Sequence, residues 1–380
     1  MQQEIIKAFE ERYKRKPQLY FSPGRINLIG EHIDYNDGYV LPAAIDSGVW
    51  FAVAPNNTDV INCYSWDMKE SLSVSCHEVK PQNSWKNYIL GVIHVMLENK
   101  LNIKGIDVVF GGNLPVGAGL SSSAAVECGL AFALNDIFQL KKSRKELALI
   151  AQRAEHLYPG VKCGIMDQYA SLMGLKDNII MLDCRSIEHQ YIPFNLKDHT
   201  LVLINTKVQH SLASGEYNIR RNQCAEGLSI LKTKEPSIQT FRDATPDQLE
   251  TYSDIMDEVL FRRCRYVIGE IERTRQASDY LTNDEIENFG RLMYATHKGL
   301  SEDYEVSCIE LDFLVEQAKQ NGITGSRVMG GGFGGCTINL VRKDMLDEVI
   351  PKITAAYRAQ FNIDADVLEV KVSDGVHRIN

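Results

Sequence analysis

Apolar residues recur along this chain at two spacings, and the first to appear is helical. In MQQEIIKAFEERYK, Ile5, Ile6, Phe9 and Tyr13 fall on one face among charges. That pattern predicts an amphipathic N-terminal helix, without the unbroken apolar middle of a signal peptide. VWFAVAP (49–55), GIDVVFGG (105–112), NIIMLDC (178–184) and LVLINTKV (201–208) are rich in β-branched and other apolar residues and predict strands. AAVECGLAFALNDIF (124–138) reads as a helix, and Ser143 with Glu146 forms a capping box that predicts another over about 144–157. After residue 216 charge rises and helical segments lengthen, as over 254–276. A helix over 307–320 closes at Asn321-Gly322, a glycine-rich loop follows, and CTINLV (336–341) predicts a strand. Strand–helix alternation is not sustained as a doubly wound sheet requires, so the fold class is α+β.

At 380 residues the chain exceeds the size at which one core stops growing. Two domains sharing an interface are therefore expected, 1–197 and 198–380, meeting at the polar patch Leu196–Thr200. The formal net charge of −9 argues against nucleic acid or an anionic membrane as partner. No apolar run approaches the ~20 residues that cross a bilayer. Nine cysteines without a CxxC pair imply reduced, mostly buried thiols and a cytoplasmic setting.

Two loops carry candidate phosphate chemistry. In LPVGAGLSSSAAVE (114–127), Gly117 and Gly119 leave room for a ligand, and Ser121, Ser122 and Ser123 stand at a helix N-terminus. Free backbone N–H groups and the positive end of the helix dipole make that an anion site, with a hydroxyl available to a phosphate-bound metal ion. The loop lacks the lysine of a P-loop and the third glycine of a dinucleotide fingerprint, so a triphosphate would be held by other means. A single serine there would be an ordinary N-cap. The second loop, MGGGFGG (329–335), contains GxGxxG, but a strand follows it, which excludes the Rossmann reading. Its glycines imply close approach of backbone to a ligand or to another loop, or simply a strained hairpin.

GRINLIGEHIDYNDGYVLP (24–42) encloses Glu31, His32, Asp34, Tyr35, Asn36 and Asp37 between apolar runs. On composition it reads as a solvated turn, an acidic metal loop or a set of hydroxyl-binding groups. In EHLYPGVKCGIMDQYASLMG (155–174), Glu155 closes the capped helix, and Asp167 sits among apolar neighbours as either an N-cap or a catalytic carboxylate.

These four motifs, in this order, resemble the galactokinases of the GHMP small-molecule kinase family, over about residues 10–345. The resemblance implies a GHMP-kinase-like two-domain fold with the active site in the interdomain cleft, and transfer of the γ-phosphoryl group of ATP, with Mg²⁺, to the anomeric hydroxyl of galactose. By motif position it makes Arg25 and Asp167 the catalytic pair. Glu31, His32, Ile33, Asp34, Gly164 and Tyr217 (in SLASGEY) become the sugar contacts. The triphosphate falls to Gly117, Ala118, Gly119, Leu120, Ser121, Ser122 and Ser123, the metal to Ser123 and Glu155, and the adenine to Ser65 and Trp85. A monomer is expected.

The chemistry fits. Phosphoryl transfer needs in-line positioning and charge neutralisation more than covalent help. A carboxylate paired with arginine is a weaker base toward a sugar hydroxyl, so Asp167 as base and Asp167 as orienter both stay open. Two alternatives remain at this stage: a sugar-1-kinase for N-acetylgalactosamine or arabinose, and a sensor that binds ATP and galactose without turnover. Intact Ser123-Ala124 and HIDYNDGYVLP weigh against both.

Overall fold

The computed structural model describes residues 1–115, 117–209 and 213–379. Its strands are β1 (Gln18–Asn27), β2 (Tyr39–Val40), β3 (Pro42–Pro55), β4 (Val60–Ser65), β5 (Glu70–Ser75), β6 (Ile106–Gly112), β7 (Asn178–Asp183), β8 (Glu188–Pro193), β9 (His199–Gln209), β10 (Gly325–Val328), β11 (Gly334–Arg342), β12 (Asp366–Val370) and β13 (His377–Ile379). Its helices are α1 (Gln2–Tyr13), α2 (Lys86–Glu98), α3 (Ser122–Ile137), α4 (Arg144–Leu157), α5 (Met166–Met173), α6 (Ala213–Lys234), α7 (Pro246–Thr251), α8 (Glu258–Thr282), α9 (Ile286–Lys298), α10 (Ile309–Gln320) and α11 (Leu346–Phe361). The class is α+β, as expected.

Three sheets organise the chain. The first has the order β13-β1-β3-β6-β4-β5, the second β10-β11-β9-β12, and the small third β2-β7-β8. On one face of the first sheet α1 buries Ile5 and Phe9 against Ala52 and Val109. On the other, Phe51 and Val108 meet α2–α4 through Ile93, Cys128 and Ala151. In the second sheet the two faces of β9 separate with period two. Leu201 and Leu203 join a core shared with Ile26, Leu41, Leu120 and Phe289, whereas Val202 and Ile204 pack under α10 and α11 with Leu314 and Ile353. This core joins the first sheet to the second.

Local signals explain most boundaries. The capping box at Ser143 and Glu146 is present and α4 starts at Arg144. Helix α8 begins later than the expected residue 254, because Asp257 accepts the Val259 N–H and Ser253–Ile255 form a separate 3₁₀ turn. Gly322, at φ +75°, closes α10: its N–H donates to Lys319 O, and the Ile323 N–H donates to Ala318 O.

The C-terminal strand crosses back over the expected 197/198 boundary. Strand β13 pairs antiparallel with β1, and the Ser373 and Gly375 N–H groups donate to Ala44 O and Gly174 O. The last residues therefore return to the first sheet and tie the two units together. Ser211 and Leu212 of the SLASGEY motif lie outside the described residues.

Candidate active site

Strand β1 carries the site's arginine because its register breaks. Pairing with β3 shifts between Pro23 and Arg25, a bulge that re-aims the Arg25 side chain. A Cβ on Gly24 would stand 2.8 Å from Leu120 O, so only glycine lets the serine loop approach this closely. Arg25 is 4% exposed. Its Nε–H donates to Asp167 Oδ1 at 2.8 Å, and its Nη1–H donates to Gly119 O. Burial opposes its charge, but Asp167, Glu31 and Asp34 outweigh that and hold it firmly protonated.

Asp167 lies in the first turn of α5, where the helix dipole favours a carboxylate. It caps nothing locally; its second oxygen accepts the hydroxyl of Ser121. Ser121 adopts φ +55° at the N-cap of α3 and makes no side-chain cap, because its hydroxyl is turned to Asp167. The first backbone N–H groups of α3 are thereby left for a ligand.

The signature loop follows β1, and most of its polar groups are already engaged. Glu31 Oε1 accepts from both Nη groups of Arg327, at 3.2 and 3.1 Å, and from the Gly330 N–H at 2.9 Å. The Gly30 N–H donates to the buried Glu270 Oε1 and the Tyr266 hydroxyl to Glu31 O, so α8 grips the loop from behind. His32, at φ +60°, pairs with Tyr35 and Gly331 O. Burial, then the charges of Arg220 and Arg327, lower its pKa to about 4 against the opposing pull of Glu31. Asp34 accepts the Tyr35 N–H, and burial together with Asp167 and Glu31 raises its pKa to about 7. A Cβ on Gly164 would come within 2.0 Å of Asp34 Oδ2, so Gly164 provides space for that carboxylate.

A cavity of about 210 Å³ joins Arg25, Glu31, His32, Asp34, Gly119, Ser121, Glu155, Asp167, Tyr217 and Gly331. A hollow of about 600 Å³ beside Tyr39, Arg242 and Arg273 is larger but gathers none of these groups. The small size of the cavity around Arg25 and Asp167 suits a monosaccharide rather than a drug-sized ligand.

The two glycine loops meet backbone to backbone above this cavity. A Cβ on Gly119 would stand 3.0 Å from Met329 O, and one on Gly330 3.0 Å from Gly119 O. The close approach implied by MGGGFGG is therefore, at the least, to the serine loop.

Glu155 accepts from Gln168 Nε2 at 2.6 Å and from the Cys163 thiol at 3.5 Å, and burial with the charge of Asp167 raises its pKa to about 7. Fully buried Glu127 lies beside it with Oε1 unpartnered. A serine hydroxyl and a carboxylate are the hard oxygen donors Mg²⁺ takes, so these residues fit that ion. Among the described residues no group of three metal-binding side chains occurs, so phosphate oxygens and water would complete the shell.

Three family models match the chain: the galactokinase galactose-binding signature over residues 7–55, the GHMP kinase N-terminal domain over 87–175 and the GHMP kinase C-terminal domain over 278–359. A galactokinase of Clostridium perfringens is 40% identical over 97% of each chain. One from Fusobacterium nucleatum is 38% identical over the whole of both. The chain belongs to the galactokinase family. The galactokinase of Lactococcus lactis, solved in complex with galactose, superposes with a TM-score of 0.95 at 32% identity over 99% of each chain. Mevalonate kinase of Methanococcus jannaschii (TM-score 0.66, 19% identity, 94% of this chain and 99% of that one) shares the fold alone.

In this galactokinase-family chain the remaining predicted residues fall in two places. Gly117, Ala118, Leu120, Ser122 and Ser123 form the turn into α3. Ser65 and Trp85 meet at the far end of β4 through Glu70, which pairs with Ser65 and accepts Trp85 Nε1–H at 3.2 Å. Ile33 does not line the cavity; its side chain is wholly buried, packed against Gly38. Sequence reasoning missed Arg327, Glu270, Tyr266 and Glu127. Arg327 and Glu127 left a signal, each being a lone charge in an otherwise apolar strand or helix face.

Proposed function

We propose that this enzyme transfers the γ-phosphoryl group of Mg·ATP to the anomeric hydroxyl of α-D-galactose, giving α-D-galactose 1-phosphate and ADP, the first step of the Leloir pathway. The observation that carries the reading is the Arg25–Asp167 pair at 2.8 Å, enclosed between the signature loop and the N-terminus of α3.

Galactose would lie against Asp34, His32, Tyr217 and the free oxygen of Glu31, with its anomeric hydroxyl at Asp167. The triphosphate would lie along residues 117–123, its charge met by the free N–H groups of α3 and by Arg25. Ser123 and Glu155 would hold Mg²⁺, which when bound neutralises phosphate charge. Ser65 and Trp85 would border the adenine. As a bond forms from the sugar O1 to Pγ, the bond from Pγ to the bridging oxygen of ADP breaks. The hydroxyl proton passes to Asp167. Because both Asp167 oxygens already accept a hydrogen bond, the carboxylate suits late proton acceptance and orientation better than early deprotonation.

The test is ADP release across galactose, N-acetylgalactosamine, arabinose and glucose, with and without EDTA. Galactose should give the highest kcat/KM, and EDTA should abolish turnover while leaving galactose binding. Preference for another sugar overturns the substrate, and galactose binding with no ADP release makes the protein a sensor.

A further inference from the structure

His32 stands at the end of a hydrogen-bonded chain whose direction is fixed by chemistry. Its Nε2 lies 3.1 Å from Gly331 O, and a carbonyl can only accept, so Nε2 carries the hydrogen. A neutral ring then has Nδ1 as acceptor, and the hydroxyl of Tyr35 donates to it at 2.8 Å. With that hydrogen committed, the Tyr304 hydroxyl must donate to Tyr35 at 2.9 Å, and Cys224 S–H must donate to Tyr304 at 3.0 Å. Every proton from α6 to the glycine loop is accounted for.

We infer that Tyr35 and Tyr304 are positioning residues that lock His32 as the neutral Nε2–H tautomer, so that it reads a sugar oxygen only as a hydrogen-bond donor.

Geometry supports the lock. The Tyr304 backbone is held, because its own carbonyl and that of Glu305 accept from Arg220 and the carbonyl of Asp303 accepts from Arg263, and its wholly buried ring packs on that of Tyr266 at a centroid distance of 4.7 Å. The Tyr35, Tyr217 and Tyr304 rings enclose the imidazole at centroid distances of 6.0, 5.2 and 5.0 Å. The charged groups facing His32 are Glu31 on its own loop, Arg220 on α6 and Arg327 on β10. The two arginines oppose an imidazolium and Glu31 favours one. Both His32 and Gly331 line the cavity, so a sugar oxygen taking the place of Gly331 O must accept. A hydroxyl hydrogen pointed at Nε2 meets a donor and finds no acceptor on the ring, which penalises a sugar with the wrong configuration.

The sugar-reading part rests on the function proposed above; the tautomer does not. Two-bond ¹H–¹⁵N spectra of ¹⁵N-histidine-labelled full-length protein, without sugar, should give His32 the Nε2–H tautomer, unprotonated down to pH 5.5. An Nδ1–H signal or an imidazolium at pH 6.5 overturns the lock. Tyr35→Phe removes the donor to Nδ1, so the same spectra should show the Nδ1–H tautomer populated beside Nε2–H. KM should rise ~10-fold or more with kcat changed less. Tyr304→Phe should move the same readouts less far. A purely structural tyrosine would lower Tm and leave the His32 tautomer as in wild type, and that result overturns the assignment. The substrate panel fails or passes separately, because the spectra contain no sugar.

Discussion

Arg327 on β10 and Glu31 in the signature loop form an ion pair at 3.1 Å, with side-chain exposures of 0% and 2%. Arg327 also donates to Leu28 O and Asn27 O, so one C-terminal side chain supports the backbone entering the loop and the carboxylate within it. Breaking a buried pair by removing one partner strands the other charge and costs about 3–5 kcal/mol. Arg327→Met should therefore lower stability by that order in urea unfolding. Adding Glu31→Gln should restore a measurable part. No recovery in the double variant would show that the carbonyl contacts, not the pair, carry the cost.

Asp167→Asn keeps the shape of the carboxylate but removes its charge. The variant should fold and bind galactose near normally, while kcat falls by ~10²–10⁴. Turnover near wild type would remove Asp167 from the mechanism. Arg25→Lys should also damage kcat, because an ammonium cannot hold Asp167 and Gly119 O while facing a phosphoryl group.

The proton on Asp34 sets a pH dependence with a definite sign. Its folded pKa, raised to about 7 by burial and by Asp167 and Glu31, exceeds the ordinary aspartate value of ~4. The folded state holds the proton more tightly, so this group's contribution is complete below about pH 4 and lost as pH rises through 7. Glu155, also raised to about 7, acts in the same direction. Thermal melts of the sugar-free protein should fall from pH 5 to 8. Asp34→Asn should flatten part of that slope and weaken galactose binding. A slope identical to wild type would assign the titration elsewhere.

Gly164→Ala tests how Asp34 is seated. The added methyl would fall within 2.0 Å of Asp34 Oδ2, so the carboxylate must leave its position. KM for galactose should rise ~10-fold or more. KM for ATP should change little, since the serine loop is untouched. Equal effects on both would indicate a global disturbance.

Much of this molecule is legible locally. Helix α4 starts where its capping box says, Gly322 closes α10, and α1 buries Ile5 and Phe9 of the four residues its spacing puts on one face, with Ile6 and Tyr13 partly covered. Motif order brought Arg25, Asp167, Asp34 and Glu155 to attention, and the fold gathers them around one cavity. Local pattern was less informative about loops. GEHIDYND contains no sign of which groups face a ligand and which are taken internally by Arg327, Gly331 or Tyr35.

The sequence by itself determined the α+β class, the capped ends of α4 and α10 and the residue types of phosphoryl transfer, because caps, periodicity and glycine turns act over a few neighbouring positions. Only the tertiary structure decided that Arg327 holds Glu31, that Glu270 anchors Gly30 and that the final strand returns to β1. Those partners lie 296, 240 and about 360 residues apart. Contacts at such separations form when sheets and cores pack, and no local propensity encodes them.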